Sequence, residues 1–346
     1  MSDHEDGYKP TNILVTGGAG FIASHVIILL VNKYPNYKIV NYDVLDYCAN
    51  LKNVESVKDR ENYKFVKGDI LSADLVNHVL KTEQIDTILH FAAQSHVDNS
   101  FGNSFPFTQT NILGTHVLLE SAKVHNICRF VHVSTDEVYG EGHVNDTAMV
   151  EESILAPSNP YAASKAAAEF IVKSYSQSFN LPVIITRGNN VYGPHQYPEK
   201  LIPKLINQII RGKSLTIHGN GKNTRNYLYV TDVARAFDLV LHKGKISEVY
   251  NIGGTNEIAN VNVARQLLEM MGFKGEKEQE SMLSFVRDRN FNDLRYFINS
   301  SKLENLGWKE EVSWEEGLMK TILWYKDHKD HWGDISSSLV AHPGRG

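Results

Sequence analysis

Ser134, Thr135, Asp136 and Glu137 stand a short way before a Tyr161-Ala-Ala-Ser-Lys165 pair. Together these residue types can run two proton transfers. A tyrosine and a lysine at i and i+4 share one face of a helix. An ammonium beside a phenol favours the phenolate, so Tyr161 is expected to titrate below the free value of about 10. Such a tyrosine can take the proton of a carbinol while hydride leaves the same carbon. Asp136 and Glu137 add a second acid and base. A plain alcohol oxidation has no task for them, whereas oxidation followed by loss of water and return of the hydride does. Taken singly, Asp136-Glu137 also fits a solvated loop, and Tyr161-Lys165 the face of an ordinary amphipathic helix. Their joint occurrence behind a strand end is what points to chemistry.

A nucleotide site has to position that chemistry. The apolar run Asn12–Thr16 leads straight into Gly17-Gly-Ala-Gly-Phe-Ile-Ala-Ser-His25 and a helical pattern. This is the strand, glycine-rich turn and helix of a dinucleotide fingerprint. Gly17 and Gly20 allow a tight turn and close approach to a pyrophosphate. The helix start at Phe21 and Ile22 then faces the anion. A second strand ends in Asp43, roughly 20 residues on, where a carboxylate holds the adenosine ribose and repels a 2′-phosphate. NAD is therefore expected over NADP; the alternative for Asp43 is a turn cap. Asp69 and Ile70 close a third strand, and Phe91, Ala92 and Ala93 a fourth. Their register with the glycines places the first pair near the adenine and the second group near the pyrophosphate.

Strand-like and helix-like segments alternate to about residue 190, which predicts a parallel α/β sheet, doubly wound in the Rossmann manner. Beyond it, shorter strands such as Leu215–His218 and Glu248–Asn251 suggest a smaller C-terminal lobe. We expect residues 1–190 to bind the dinucleotide and carry the catalytic groups, 191–331 to bind mainly substrate, and 332–346 to form a poorly packed tail. The 346 residues carry a net charge of -5, which gives no reason to expect nucleic-acid binding. No signal peptide or membrane-length apolar run is visible, so a cytoplasmic protein is expected. Two cysteines make no disulfide framework. The 15 histidines show no metal-ligand spacing, and no metal is expected.

With these residues in hand, the chain resembles the extended short-chain dehydrogenase/reductases, specifically the nucleotide-sugar 4,6-dehydratases. Thr16–Ile22, Ser134–Gly140, Tyr161–Lys165, Asn190-Val-Tyr-Gly-Pro194, Tyr197-Pro-Glu-Lys-Leu-Ile-Pro203, Arg225-Asn-Tyr-Leu-Tyr229, Asp288-Arg289 and Arg295-Tyr296 match in order. Flanking motifs, among them His96–Ser104, Arg187–Tyr192, Trp332-Gly-Asp-Ile335 and His342-Pro343, look like the dehydratase domain of plant-type rhamnose synthases. Two positions depart from the pattern: Asn290 stands where the family often has proline, and Ala23 replaces the third glycine, as in the plant-type domains.

The resemblance implies UDP-glucose as substrate, with dTDP-glucose as the alternative and a UDP-hexose 4-epimerase further off. A non-catalytic nucleotide-binding protein has no use for all four of Asp136, Glu137, Tyr161 and Lys165. It implies that Tyr161 deprotonates the glucose 4-hydroxyl, Thr135 bonds the same oxygen, and Lys165 contacts the nicotinamide ribose. Glu137 then removes the C5 proton, and Asp136 protonates the departing 6-hydroxyl. Thr110 and Val191 join the cofactor set. Ser95, Asn190, Lys200, Leu201, Thr216, His218, Arg225, Asn260 and Arg289 are implied for the nucleotide sugar, with guanidinium forks on the diphosphate. A homodimer through a four-helix interface is expected, using the segment after Asn111 and the helix of Tyr161. A separate epimerase/reductase, or a further domain outside this sequence, would complete the sugar, since no second catalytic pair is seen within residues 1–346.

Overall fold

Ile13 and Val15 of the first strand are buried on one side of a sheet and Leu14 on the other, none of them exposed. Apolar residues on both faces are the mark of a parallel sheet covered on both sides. The computed structural model describes residues 8–142, 147–288 and 293–340. Its large sheet contains β1 (Asn12–Thr16), β2 (Lys38–Asp43), β3 (Tyr63–Lys67), β4 (Thr87–His90), β5 (Arg129–Thr135) and β6 (Val183–Gly188). With β10 (Val249–Ile252) the spatial order is β10-β6-β5-β4-β1-β2-β3, all parallel. The helix Phe21–Lys33 packs with Val230–Lys243 on one face. The helices Ala73–Thr82, Thr115–Val124 and Pro160–Phe179 cover the other. Strand order reverses between β1 and β4, which opens a crevice at their carboxyl ends.

The smaller lobe holds β7 (Asn190–Tyr192), β9 (Thr224–Tyr229) and β11 (Asn256–Ala259) in one sheet. A parallel pair, β8 (Leu215–His218) with β12 (Leu283–Val286), makes another. Leu205, Ile206, Leu267, Trp314 and Leu318 form its core. Among the described residues, no helix is long and apolar enough to cross a membrane.

Two expectations change. The strand near residues 248–251 does not belong to the smaller lobe. It is β10, paired with β6 at the edge of the large sheet. Tyr250 and Ile252 are buried there, and the Val230–Lys243 helix carries the chain back to it. A strand this short does not announce its partner; packing selects it. Nor is the C-terminal stretch loose. Ile335 and Leu339 are buried, the Trp332 ring meets Tyr197 edge-on at 5.1 Å, and Gln208 donates to the Leu339 carbonyl at 2.8 Å. Packing continues to Leu339; His342 and Pro343 lie outside the described residues.

Candidate active site

Gly17 adopts φ +70°, and a Cβ there would lie 2.8 Å from the Ala92 backbone. Only glycine lets the turn after β1 close onto the segment after β4. Gly20 then begins the Phe21–Lys33 helix, with no side chain capping its first amides. An uncapped helix start in a glycine turn is a ready anion site. Asp43, at the end of β2, is buried; its Oδ2 accepts from the Ala19 amide at 2.9 Å and its Oδ1 from Leu45 at 2.7 Å. Burial pushes its carboxyl up, against those two bonds. Held this way, the carboxylate keeps free lone pairs for ribose hydroxyls. Ile70 is buried against Gly114, and Phe91 packs on Phe237. Asp69 is exposed at the end of its strand, with Oδ1 accepting from the Leu71 amide. Ala93 follows in the loop after β4, and Thr110 lies in a π-helical stretch, Thr108–Gly114. The glycine turn, the bare helix start and Asp43 fit a dinucleotide.

Thr135 ends β5, and a 3-10 turn of Asp136–Tyr139 follows. The Thr135 hydroxyl accepts from the Glu137 amide at 3.3 Å and donates to Asp136 Oδ1 at 3.2 Å. The two carboxyls receive different partners. Asp136 Oδ2 accepts from the Asn189 amide at 2.6 Å. Glu137 Oε2 accepts from the Asn159 amide at 3.0 Å. Burial, then the neighbouring Glu137 charge, pushes Asp136 up to about 7, while Asn189, Thr135 and Arg225 pull the other way. Burial also raises Glu137, opposed by Asn159, Arg225 and Lys200. Two coupled carboxyls in unequal settings can divide acid and base work.

Tyr161 and Lys165 share the helix Pro160–Phe179, both buried. The Tyr161 phenol is raised, not lowered as the sequence led us to expect. Burial dominates, the Glu137 and Asp136 charges add to it, and only a Thr135 hydrogen bond opposes. Lys165 does not act on it here. Its Nζ donates to the Val133 carbonyl at 2.6 Å, and burial pulls it down to about 8. Under the turn, Arg187 of β6 pairs with Glu169 at 2.7 Å, both essentially unexposed. Arg187 also donates to the Tyr139 hydroxyl at 2.7 Å, and Tyr139 donates to Asn251 at 2.8 Å.

A cleft with a cavity volume of about 150 Å³ opens beside this turn. Glu137, Asn190, Val191, Lys200, Leu201, His218, Arg225 and Asn260 line it together. Arg225 lies over the Tyr296 ring at 4.7 Å and donates to the Asp293 carbonyl at 2.9 Å. The carbonyl of Ser95 accepts from Lys200 at 2.7 Å. Thr216 is not among the lining residues: Ile217 and His218, at the carboxyl end of β8, reach the cleft, while the Thr216 hydroxyl, further back on the strand, accepts from Gln208 at 3.1 Å. Arg289 and Asn290 lie outside the described residues.

Sequence reasoning assigned no role to Asn159, Asn189, Asp293 or Tyr296. Asn159 left a signal: Asn before Pro160 is a helix start, and its Oδ1 caps the Ala162 amide at 2.8 Å. Its other end holds Glu137. Asn189 stood beside the named Asn190, but nothing local shows which of the two faces the acid. Tyr296, hydrogen-bonded to Asp293, lines the cleft from a segment without regular structure.

Comparison with known proteins adds four findings. Residues 14–321 match the family model described as GDP-mannose 4,6 dehydratase. A trifunctional UDP-glucose 4,6-dehydratase/UDP-4-keto-6-deoxy-D-glucose 3,5-epimerase/UDP-4-keto-L-rhamnose-reductase of Arabidopsis thaliana is 58% identical over 340 residues, 97% of this chain and 50% of the relative. This chain thus spans about half the length of that plant protein. The human dTDP-D-glucose 4,6-dehydratase is 50% identical over 96% of this chain and 94% of its own. Among solved structures, a dTDP-glucose 4,6-dehydratase of Streptomyces venezuelae, crystallised with NAD, superposes with TM-score 0.88 at 39% identity, covering 93% of this chain and 99% of that one.

Proposed function

The chain belongs to the GDP-mannose 4,6-dehydratase family, and from that premise we propose that it converts UDP-glucose to UDP-4-keto-6-deoxyglucose with NAD as resident cofactor. The observation that carries this reading is the Asp136-Glu137 turn. It presents two carboxyls, held by different asparagines, next to Thr135 and Tyr161. The glycine turn, the bare start of the Phe21–Lys33 helix and Asp43 would hold NAD, which when bound accepts hydride from C4, returns it to C6, and brings a positive charge to the site. Tyr161 takes the 4-hydroxyl proton, with Thr135 bonded to the same oxygen. The raised phenol makes this the step most in need of a nearby positive charge. Glu137 removes the C5 proton, made acidic by the 4-ketone, and Asp136 gives its proton to the leaving 6-hydroxyl. Arg225 and Lys200 meet the diphosphate, and residues 191–331 supply most of the nucleotide-sugar contacts.

Preference for UDP-glucose over dTDP-glucose follows the higher identity to the plant protein. One methyl on a pyrimidine is worth only about 10–200-fold in discrimination. Parallel kinetics with both sugar nucleotides test it. A 4-keto-6-deoxy product formed faster from UDP-glucose supports the reading, and preference for dTDP-glucose moves it to the alternative. Formation of UDP-galactose instead would make the chain an epimerase. The product would be consumed by an epimerase/reductase activity like that named for the plant relative.

A cytoplasmic homodimer belongs to the same proposal. Leu113 and Val124 on one outer helix, and Phe170 and Phe179 on the Tyr161 helix, are each at least half exposed. Ala163 is exposed on the same helix, whereas Ala162, Ala166 and Ala168 are buried within the subunit. An apolar outer face on both helices is what a four-helix interface needs.

A further inference from the structure

Asp136 and Glu137 are adjacent in the chain and chemically alike, yet the proposed reaction needs one protonated and the other ionised. The device that separates them lies in β6 and β10. Asn189 follows β6 directly, is 6% exposed, and is tied at three points. Its backbone N–H donates to the Ile252 carbonyl at 3.1 Å. Its side-chain Oδ1 accepts from the Gly254 backbone N–H at 3.2 Å. Its Nδ2 donates to Asp136 Oδ2 at 2.6 Å. A backbone N–H can only donate, so Gly254 fixes which end of the amide is oxygen. The NH2 end must then face Asp136. The close fit leaves no alternative placement: a Cβ on Gly253 would lie 2.9 Å from Asn189 Oδ1.

We propose that Asn189 is the positioning residue of this site: by always donating to Asp136 Oδ2 it confines the acid proton to Oδ1, the oxygen beside Thr135. The proposal rests on the dehydratase reading and deepens it. In the elimination the C5–H bond breaks to Glu137, a C5–C6 double bond forms, and the C6–O bond breaks. The departing oxygen takes the Asp136 proton and leaves as water. Placing that proton on Oδ1 sets it on the side of Thr135, whose hydroxyl is 3.2 Å away and also bonds Tyr161. On Oδ2 it would meet an amide that cannot accept it. Glu137 receives no such lock, because Asn159 engages only Oε2 and is itself held by capping a helix.

Several charged or titratable groups also face Asp136. Glu137 lies on its own turn, Tyr161 on the Pro160–Phe179 helix and Arg225 on β9. Tyr139, Arg295 and Tyr296 surround a small cavity that Asp136 borders. The donor seated on Oδ2, at 2.6 Å, is Asn189 Nδ2.

Asn189→Ala and Asn189→Asp test this. The second keeps the shape and the Gly254 contact but replaces the donor by an acceptor. On whichever sugar nucleotide the parent dehydrates, both variants should still reduce the bound cofactor at close to the parental rate. Product should form about 10–100-fold more slowly, the factor expected for losing one hydrogen bond to a charged group. Removing a donor to the carboxylate raises the Asp136 pKa, so the alkaline limb of product formation should move up by about one pH unit. Parental elimination rates, or an alkaline limb that stays in place while oxidation and elimination fall together, would overturn the proposal. Asp136 can also be followed without turnover. Its carboxyl stretch, assigned by its loss in Asp136→Asn, should titrate at higher pH in Asn189→Ala by infrared difference spectroscopy. An unchanged titration refutes the lock even if the substrate assignment is wrong, and a parent that dehydrates neither sugar nucleotide refutes only that assignment.

Discussion

Replacing the acid should make the protein more stable. Asp136 is 3% exposed and titrates at about 7 instead of 3.8, with burial as the main cause. The unfolded carboxyl ionises near pH 4 and the folded one only near 7, so between these values the folded state binds the extra proton. Stability therefore falls as pH rises through this window. About three pH units at about 1.4 kcal/mol each give a penalty of about 4 kcal/mol once both states are ionised. Asp136→Asn removes the charge and keeps the shape, and its side-chain oxygen can still accept from Asn189. At pH 8 the variant should resist urea by about 4 kcal/mol more than the parent, at pH 5 by about 2 kcal/mol, and below pH 4 by almost nothing. Unfolding followed by circular dichroism at fixed protein and NAD concentrations measures this, since ligand and subunit concentration both shift apparent stability. The same variant should lose elimination. A gain that does not depend on pH, or no gain at pH 8, would mean that Asp136 is not held against its charge and that the acid assignment lacks its physical basis.

Glu137→Gln should leave oxidation at C4 but stop loss of the C5 proton, so reduced-cofactor absorbance should rise on adding substrate without 4-keto-6-deoxy product; product at the parental rate would remove Glu137 as the base. Arg187→Met leaves the buried Glu169 with only the half-exposed Lys173 at 3.8 Å, which should cost about 3–5 kcal/mol in urea unfolding, while Lys173→Met should cost under about 1 kcal/mol. Phe170→Glu places a charge on the proposed helix interface, and light scattering should then report a monomer of 39.0 kDa where the parent gives twice that mass.

What the sequence made legible was what lies close together along it. The glycine turn, Asp43, the Thr135-Asp136-Glu137 triplet and the Tyr161–Lys165 spacing are local patterns. The structure places the triplet on one turn after β5 and the pair on one helix. Whatever depends on partners far along the chain was hidden. The Tyr161 phenol was misjudged because spacing names Lys165 as a neighbour but says nothing of burial or of where the ammonium donates. Asn189 and Tyr296 act across 53 and 71 residues respectively, through Asp136 and Arg225. β10 was assigned to the wrong lobe for the same reason, since a four-residue strand has no pattern long enough to reveal its neighbour. Thr216 and His218 were both named for the nucleotide and share a face of β8; only their place along the strand, and the Gln208 contact at Thr216, separates them.

The edge position of β10 also has a bearing on the order in which the site matures. Tyr161, Lys165, Glu137 and the glycine turn all lie before residue 166, on elements that pair with one another. Asp136 acquires its Oδ2 donor only when Asn189 is seated against Ile252 and Gly254. Chains fold from the N-terminus during synthesis, and residues 252–254 emerge after all of those elements. During synthesis the dinucleotide half can therefore assemble while the acid is still unheld, and the last strand to dock completes the chemistry. On the proposed reading, a partly opened chain holding cofactor would oxidise C4 before it could expel water efficiently, and docking of the last strand is what couples the two steps.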